Sequence, residues 1–350
     1  MNVSRTNLII CAAAVLNGCS GVGSAVAPLP GSVPVAAQNR HHSVVQPATC
    51  TPTVWALHSG AVYGYTAPNS PPCVTLNGSY AGLPLGSPLG VAMGSTPNYL
   101  YVADGYNKRI VVFDAQGNYV KWLDTQLAGT PYEPWGVCVS SSGIVGVATI
   151  QEQGNGNVEF FSPNALTGSL PTGSAAGVRD EWCAFDSAGN FFVDGAPAMP
   201  GQQIAYLASA YVNLPGQTLV GTGLSSPASY VGMYSRINSP ADQTLSVATV
   251  VNHSTTQRVY TWNVSGAATG PLSFTPASGS PYAFTTYPNH PRWDPIDGVA
   301  PSAGGASGTL FFADLGKGRV LQAPANGGSI ATYKSLSHTI GVATNPTGQY

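Results

Sequence analysis

The sequence predicts an all-β fold, a six-bladed β-propeller in which the N- and C-terminal segments share one blade. Three observations lead there. An inner-strand signal recurs six times, at Gly90 in PLGVAM, Gly136 in PWGVCV, Trp182 in EWCAFDSAGN, Gly232 in YVGMYS, Gly298 in IDGVAP and Gly341 in IGVATNPTG. The intervals are 46, 46, 50, 66 and 43 residues, and all but one lie close to the roughly 40 to 50 residues of a four-stranded blade. Further strands follow most of these signals, and the two ends of the chain complement each other.

Residues 101–114, YVADGYNKRIVVFD, are the best-kept unit. Tyr101, Val102 and Ala103 alternate as a half-buried strand, Asp104, Gly105 and Asn107 make a turn, and Ile110 to Phe113 run back. Later copies read GIVGVATIQ then NVEFFSP, NFFVDGA then QQIAYLASA, TLSVATVV then QRVYTWNV, and TLFFADLGKGRVLQA. In the last, Phe312-Ala313-Asp314 parallels Val102-Ala103-Asp104, and Arg319 parallels Arg109. The 66-residue interval holds PASGSPYAFTTYPNHPRWDP, which reads as a loop-face insertion. With SPLGVAM leading into it, the 101–114 unit resembles an NHL repeat. That resemblance implies a propeller and leaves the activity open.

The chain stops just after the inner strand at GVATNPTGQY, and the strands this blade lacks are at the other end. TVWALHSGAVYGYTA, from residue 53, has the second-strand, turn, third-strand form, and PCVTLNG supplies a fourth. Joined, the halves span 48 residues. Such a shared blade closes the ring and leaves no open sheet edge along the channel. It predicts a propeller over residues 51–350 with its natural end at Tyr350, present as a monomer.

Charged residues are only 7% of the chain and the formal net charge is -2, so the polar surface is built from Ser, Thr, Asn, Gln and Gly. That composition suits an extracytoplasmic protein. With no run of Lys or Arg, nucleic acid is excluded as a partner. Arg5 and the apolar stretch Leu8 to Leu16 form an export signal too short to span a bilayer. Leu16-Asn17-Gly18-Cys19 resembles a bacterial lipobox. The resemblance implies a signal peptide over 1–18, lipidation at Cys19, a flexible tether over 19–50 and anchoring in the cell envelope, at the outer membrane if the source is Gram-negative. An ordinary signal peptide with an incidental Cys19 is the alternative.

Four cysteines remain once Cys11 and Cys19 are set aside. Cys50 and Cys73 flank the shared blade and are expected to form a disulfide in an oxidising envelope, with free thiols as the alternative. Cys138 and Cys183, near each other on consecutive inner strands, read as buried small apolar residues, with a bridge between them as the alternative. No spacing suggests zinc.

Propellers generally take ligands at a mouth of the central channel. The residues just before the six markers are Leu89, Trp135, Glu181, Val231, Asp297 and Ile340, with Asp180, Tyr230, Asp294 and His338 nearby. Clustered carboxylates suit a divalent cation such as calcium, and His338 is a candidate general base. Asp180, Glu181, Asp297 and His338 are therefore the catalytic candidates, with Glu181 and Asp297 as metal ligands. Six-bladed lactonases and lyases work in this way, though their glutamate-glycine-proline start and proline-aspartate-glycine turns are missing here. The alternative is that these carboxylates cap turns or sit solvated at the rim. Trp135, Tyr230 and Trp293, with Tyr282 and Tyr287, offer aromatic surface for a protein or glycan. Recurring Asp104, Asp194 and Asp314 read as turn residues, and Arg109 and Arg319 as packing between blades. No GxSxG, HExxH or P-loop is present. The expectation is an envelope-anchored binding or scaffold module, with a metal-dependent hydrolase or lyase as the alternative.

Overall fold

The computed structural model describes residues 50–94, 97–127, 130–150, 156–176, 182–194, 204–224, 236–238, 243–249, 256–285, 296–301, 309–314, 318–324, 329–337 and 339–344. Six sheets form six blades, antiparallel throughout except where Gln217–Thr218 adds a parallel edge to Gly173–Ala176 of blade 2, and no α-helix occurs among the described residues. Blade 1 runs Pro88–Met93, Tyr99–Asp104, Arg109–Asp114 and Tyr119–Asp124 from the inside outwards. Blade 2 begins at Glu133–Val139, blade 3 at Trp182–Phe185, blade 4 at Arg236–Asn238 and blade 5 at Ile296–Pro301. Blade 6 takes its innermost strand from Thr339–Thr344 and its other three from Val54–His58, Ala61–Tyr65 and Val74–Leu76. The innermost strands touch one another in sequence round a closed ring, with Thr339–Thr344 against both Ile296–Pro301 and Pro88–Met93.

The side-chain period of two explains why the second strands read as unbroken apolar runs. In Tyr99–Asp104, Leu100 and Val102 enter a cluster with Trp55, Leu57 and Val62 of blade 6. The intervening Tyr101 and Ala103 enter another, with Val137, Val147 and Phe161 of blade 2. Both faces of each blade are thus covered by neighbours, so alternation hydrophobic-in, polar-out is lost. Burial of each such large side chain contributes about 1.5–3 kcal/mol. The same two-sided packing joins blades 2 and 3 through Phe160 and Phe191, blades 3 and 4 through Phe192 and Leu245, and blades 5 and 6 through Phe311 and Tyr65.

Within each blade the strands alternate in direction, so the ring has two faces. The upper face holds the start of each innermost strand and the turn from second to third strand. On that face Asp104 and Arg109 lock the turn of blade 1: Arg109 Nε donates to Asp104 Oδ2 at 3.0 Å, both fully buried. Asp104 Oδ1 accepts from the Gly86 N–H at 2.9 Å, and Arg109 Nη1 donates to the Tyr80 carbonyl at 2.8 Å. The expected turn and packing roles are met, because the pair ties blade 1 to the segment arriving from blade 6. Arg319 and Asp314 repeat the pair at 2.8 Å in blade 5. The side chain of Asp194 lies outside the described residues.

Three expectations need correction. In the ladder of blade 3, Cys183 opposite Val193 takes the position that Gly90 holds opposite Ala103, so the marker there is Cys183 and not Trp182. In blade 4 the same position falls on Arg236, opposite Ala248, and not on Gly232, which lies outside the described residues. The stretch read as a loop insertion begins as a strand. Tyr282–Thr285 pairs with Thr256 to Val259, while Leu272–Pro276 pairs with Trp262 to Gly266 of the same long strand.

Cys50 and Cys73 are bridged as expected, with Cα atoms 6.2 Å apart. Cys138 and Cys183 are bridged as well, at 5.7 Å, which overturns their reading as unlinked apolar residues. Adjacent innermost strands approach closely enough at the channel for the second bridge to span blades 2 and 3.

Candidate functional site

Four innermost strands share an irregularity at the same point. In blade 1 the ladder passes from Pro88 to Gly90, in blade 2 from Pro134 to Gly136 and in blade 5 from Ile296 to Gly298. In blade 6 it passes from Thr339 to Gly341. The residues left out are Leu89, Trp135, Asp297 and Ile340, all nominated from the sequence as channel-mouth positions. A β-bulge of this kind frees one residue from pairing and re-aims its side chain, and bulges concentrate beside functional sites. The upper mouth is therefore ringed by bulged residues.

Trp135 is half-buried, and its ring lies 6.3 Å from that of Trp182 at an angle of 54°. Its indole Nε1 is shielded from solvent and meets no hydrogen-bond partner among the described residues. Trp135 is thus half-buried where the sequence predicts an exposed aromatic. Trp182 enters the site because of the shift in blade 3, which puts it directly before the marker in place of Glu181.

Two further groups were missed from sequence. A Cβ on Gly105 would meet Leu89 Cδ1 at 2.8 Å and Glu133 Oε1 at 3.2 Å, so the absent side chain lets both converge on the turn. Glu133 thus adds a carboxylate beside Trp135, and Tyr106, 77% exposed, follows in that turn. His58 closes the equivalent turn of blade 6 opposite Thr339, with Ser59 Oγ 3.1 Å from Nδ1 and Ser337 Oγ 3.5 Å from Nε2. Glu133 sits three residues before its marker and His58 on a second strand, so a search one residue ahead of each marker passes over both.

Asp180, Glu181, Tyr230, Trp293, Asp294 and His338 lie outside the described residues, as do Tyr287 and Cys19. Asp297 is placed by its backbone at the bulge of blade 5, without its side chain. Among the described residues no three His, Cys, Asp or Glu side chains stand close enough to hold a metal ion. The raised phenol pKa values lie in the seams between blades: burial pushes Tyr65 and Tyr101 up to about 12.

No family model matches the chain, and no curated protein matches it. Among solved structures, a nidogen/laminin complex is similar over 84% of this chain and 98% of its own, at 10% identity and a TM-score of 0.52. A streptogramin B lyase structure is similar over 71% of this chain and 68% of its own, at 15% identity and a TM-score of 0.43. At 10% identity the likeness to the nidogen/laminin complex speaks to the fold alone, and together with the closed ring of six sheets it makes this chain a six-bladed β-propeller.

Proposed function

We propose that this propeller is an exported binding or scaffold module of the NHL type, lipid-anchored at Cys19 in a bacterial envelope, and that it takes a protein or glycan at its upper mouth. The observation that carries the reading is the set of bulges at Leu89, Trp135, Asp297 and Ile340, which release four residues around one opening. Trp135 supplies a half-buried aromatic ring, and Glu133 a carboxylate that converges with Leu89 on the turn at Gly105. The repeated Asp104–Arg109 and Asp314–Arg319 pairs support the NHL assignment. The apolar stretch ending in Leu16-Asn17-Gly18-Cys19 supports the anchor. The decisive experiment places a photo-crosslinking residue at Tyr106 in the envelope and compares capture by wild type and Trp135→Ala. A loss of about tenfold in captured partner is expected for a central aromatic contact. Equal capture by a correctly folded Trp135→Ala protein would remove the mouth from the reading.

A second reading is favoured by one observation, the bulge that brings Asp297 to the same mouth. A divalent cation held there by Asp297 and Glu181, with Asp180 and His338 completing the chemistry, makes a metal-dependent hydrolase or lyase. Stabilisation by millimolar calcium that disappears in Glu181→Ala/Asp297→Ala selects this reading. A melting temperature indifferent to calcium selects the binding module.

A further inference from the structure

The Cys138–Cys183 bridge lies directly beneath the aromatic pair of the mouth. Glu133–Val139 and Trp182–Phe185 belong to separate sheets, so no ladder of hydrogen bonds fixes how far one of these innermost strands slides along the other. Among the described residues this disulfide is the one covalent tie between two blades. Its first cysteine stands three residues beyond Trp135 and its second directly follows Trp182, whose ring lies 6.3 Å from that of Trp135. Consecutive Cα atoms are about 3.8 Å apart, so a shift of Cys183 carries Trp182 with it. The seat of the bridge is firmly packed. Both sulfurs face the Gly146 carbonyl oxygen, Cys138 Sγ at 3.6 Å and Cys183 Sγ at 3.4 Å. A Cβ on Gly146 would meet Phe191 Cε2 at 2.8 Å, Phe185 Cε2 at 3.1 Å and Cys138 Sγ at 3.2 Å. Glycine there leaves room for sulfur between the second strand of blade 2 and the rings of blade 3. Phe191 is braced in turn by Phe160 at 4.9 Å and by Phe185 at 5.3 Å, both edge to face.

We infer that the Cys138–Cys183 bridge is the positioning element of the upper mouth, holding Trp182 against Trp135, and that the mouth takes its ligand in the oxidised protein alone. The inference rests on the reading of the mouth as the binding site. A site held in its binding geometry by a cross-link gives up less freedom on binding than one whose walls slide. Reduction by a dithiol breaks the S–S bond and delivers two electrons and two protons, which leaves two cysteine thiols on the protein and a disulfide on the reductant. With the tie cut, the innermost strands of blades 2 and 3 meet through packing alone, and the two indoles part.

The test compares the full chain with two variants. Cys138→Ala/Cys183→Ala reproduces the opened bridge without a reductant, and Cys50→Ala/Cys73→Ala removes the other disulfide as a control for stability. The signal of the indole pair is the part of the near-ultraviolet circular dichroism that vanishes in Trp135→Phe. At a temperature where far-ultraviolet spectra show every variant folded, it is expected to vanish in Cys138→Ala/Cys183→Ala and to persist in Cys50→Ala/Cys73→Ala. Capture through a photo-crosslinker at Tyr106 is expected to fall about tenfold in the first variant, as for Trp135→Ala, and to hold in the second. An indole signal intact in Cys138→Ala/Cys183→Ala overturns the positioning role. A lost signal with undiminished capture overturns the control of the ligand by the bridge. Equal losses of capture in the two bridge variants reduce the effect to stability and overturn the inference as well. Failure of the mouth reading is separate: Trp135→Ala then captures as wild type does, and the indole signal still decides the positioning role.

Discussion

Gly90 of blade 1 lies flush against the Trp135 carbonyl of blade 2: a Cβ at Gly90 would overlap that oxygen and stand 3.2 Å from Gly136 Cα. The innermost strands meet backbone to backbone at the channel, and glycine at the marker position is what permits it. Gly90→Ala is therefore expected to destabilise by about 1–3 kcal/mol, in the range of overpacking. Gly341→Ala, whose Cβ would meet Val91 Cγ1 at 3.3 Å and Leu57 Cβ at 3.4 Å, should cost less. Denaturant melts of the two variants give the order, and equal losses would mean that the close approach in blade 1 is not what requires glycine.

Removing one member of the Asp104–Arg109 pair leaves the other charged and buried. Asp104→Ala should cost about 3–5 kcal/mol. Asp104→Asn keeps an oxygen for the Gly86 N–H and should cost less. Capture of partner by whatever protein remains folded is expected to be unchanged in both, because the pair is occupied within the turn. A selective loss of capture with unaltered melting would assign Asp104 to the ligand.

The two disulfides close loops of 23 and 45 residues. On the chain-entropy account they contribute about 3 and about 4 kcal/mol respectively. Cys183→Ala should thus lower stability more than Cys73→Ala. In the unreduced, denatured protein, alkylation should leave Cys50, Cys73, Cys138 and Cys183 unmodified by mass.

Alkaline pH should unfold the protein through its buried phenols. Tyr65 and Tyr101 hold their protons up to about 12 when folded, because burial disfavours the phenolate. Unfolded tyrosines release theirs near 10. Between these values the folded state binds more protons, so stability is complete below pH 10 and lost as pH climbs towards 12. Tyr65→Phe/Tyr101→Phe should flatten the fall in melting temperature over that window. A slope equal to wild type would count against burial of these two hydroxyls.

Much of this architecture is legible in the sequence, and the failures have physical causes. TVWALHSGAVYGYTA gives its two strands because apolar residues crowd a polar turn at Ser59 and Gly60, and its partnership with IGVAT follows from the missing members of the last blade. The Asp104 and Arg109 repeat was readable because both residues recur at the same spacing in blade 5. Blades 3 and 4 were misread by one and by four residues, since neither puts glycine at the marker position and no side chain announces a bulge. Trp182 escapes as a site residue for the same reason, whereas Glu133 escapes because it lies three residues before a marker that is correctly placed. The Cys138–Cys183 bridge depends on the stagger between neighbouring blades, a property of the closed ring that spacing along the chain does not carry.

The blade assembled from both ends has a consequence in time. During synthesis the strand Val54–His58 emerges long before its inner neighbour Thr339–Thr344. Throughout that interval, Trp55 and Ala56 present an open ladder that any passing strand could extend. Pairings so distant along the chain form slowly. Completion of the ring thus waits for Thr339–Thr344, and a chain held extended until that strand is delivered avoids closing around the wrong partner.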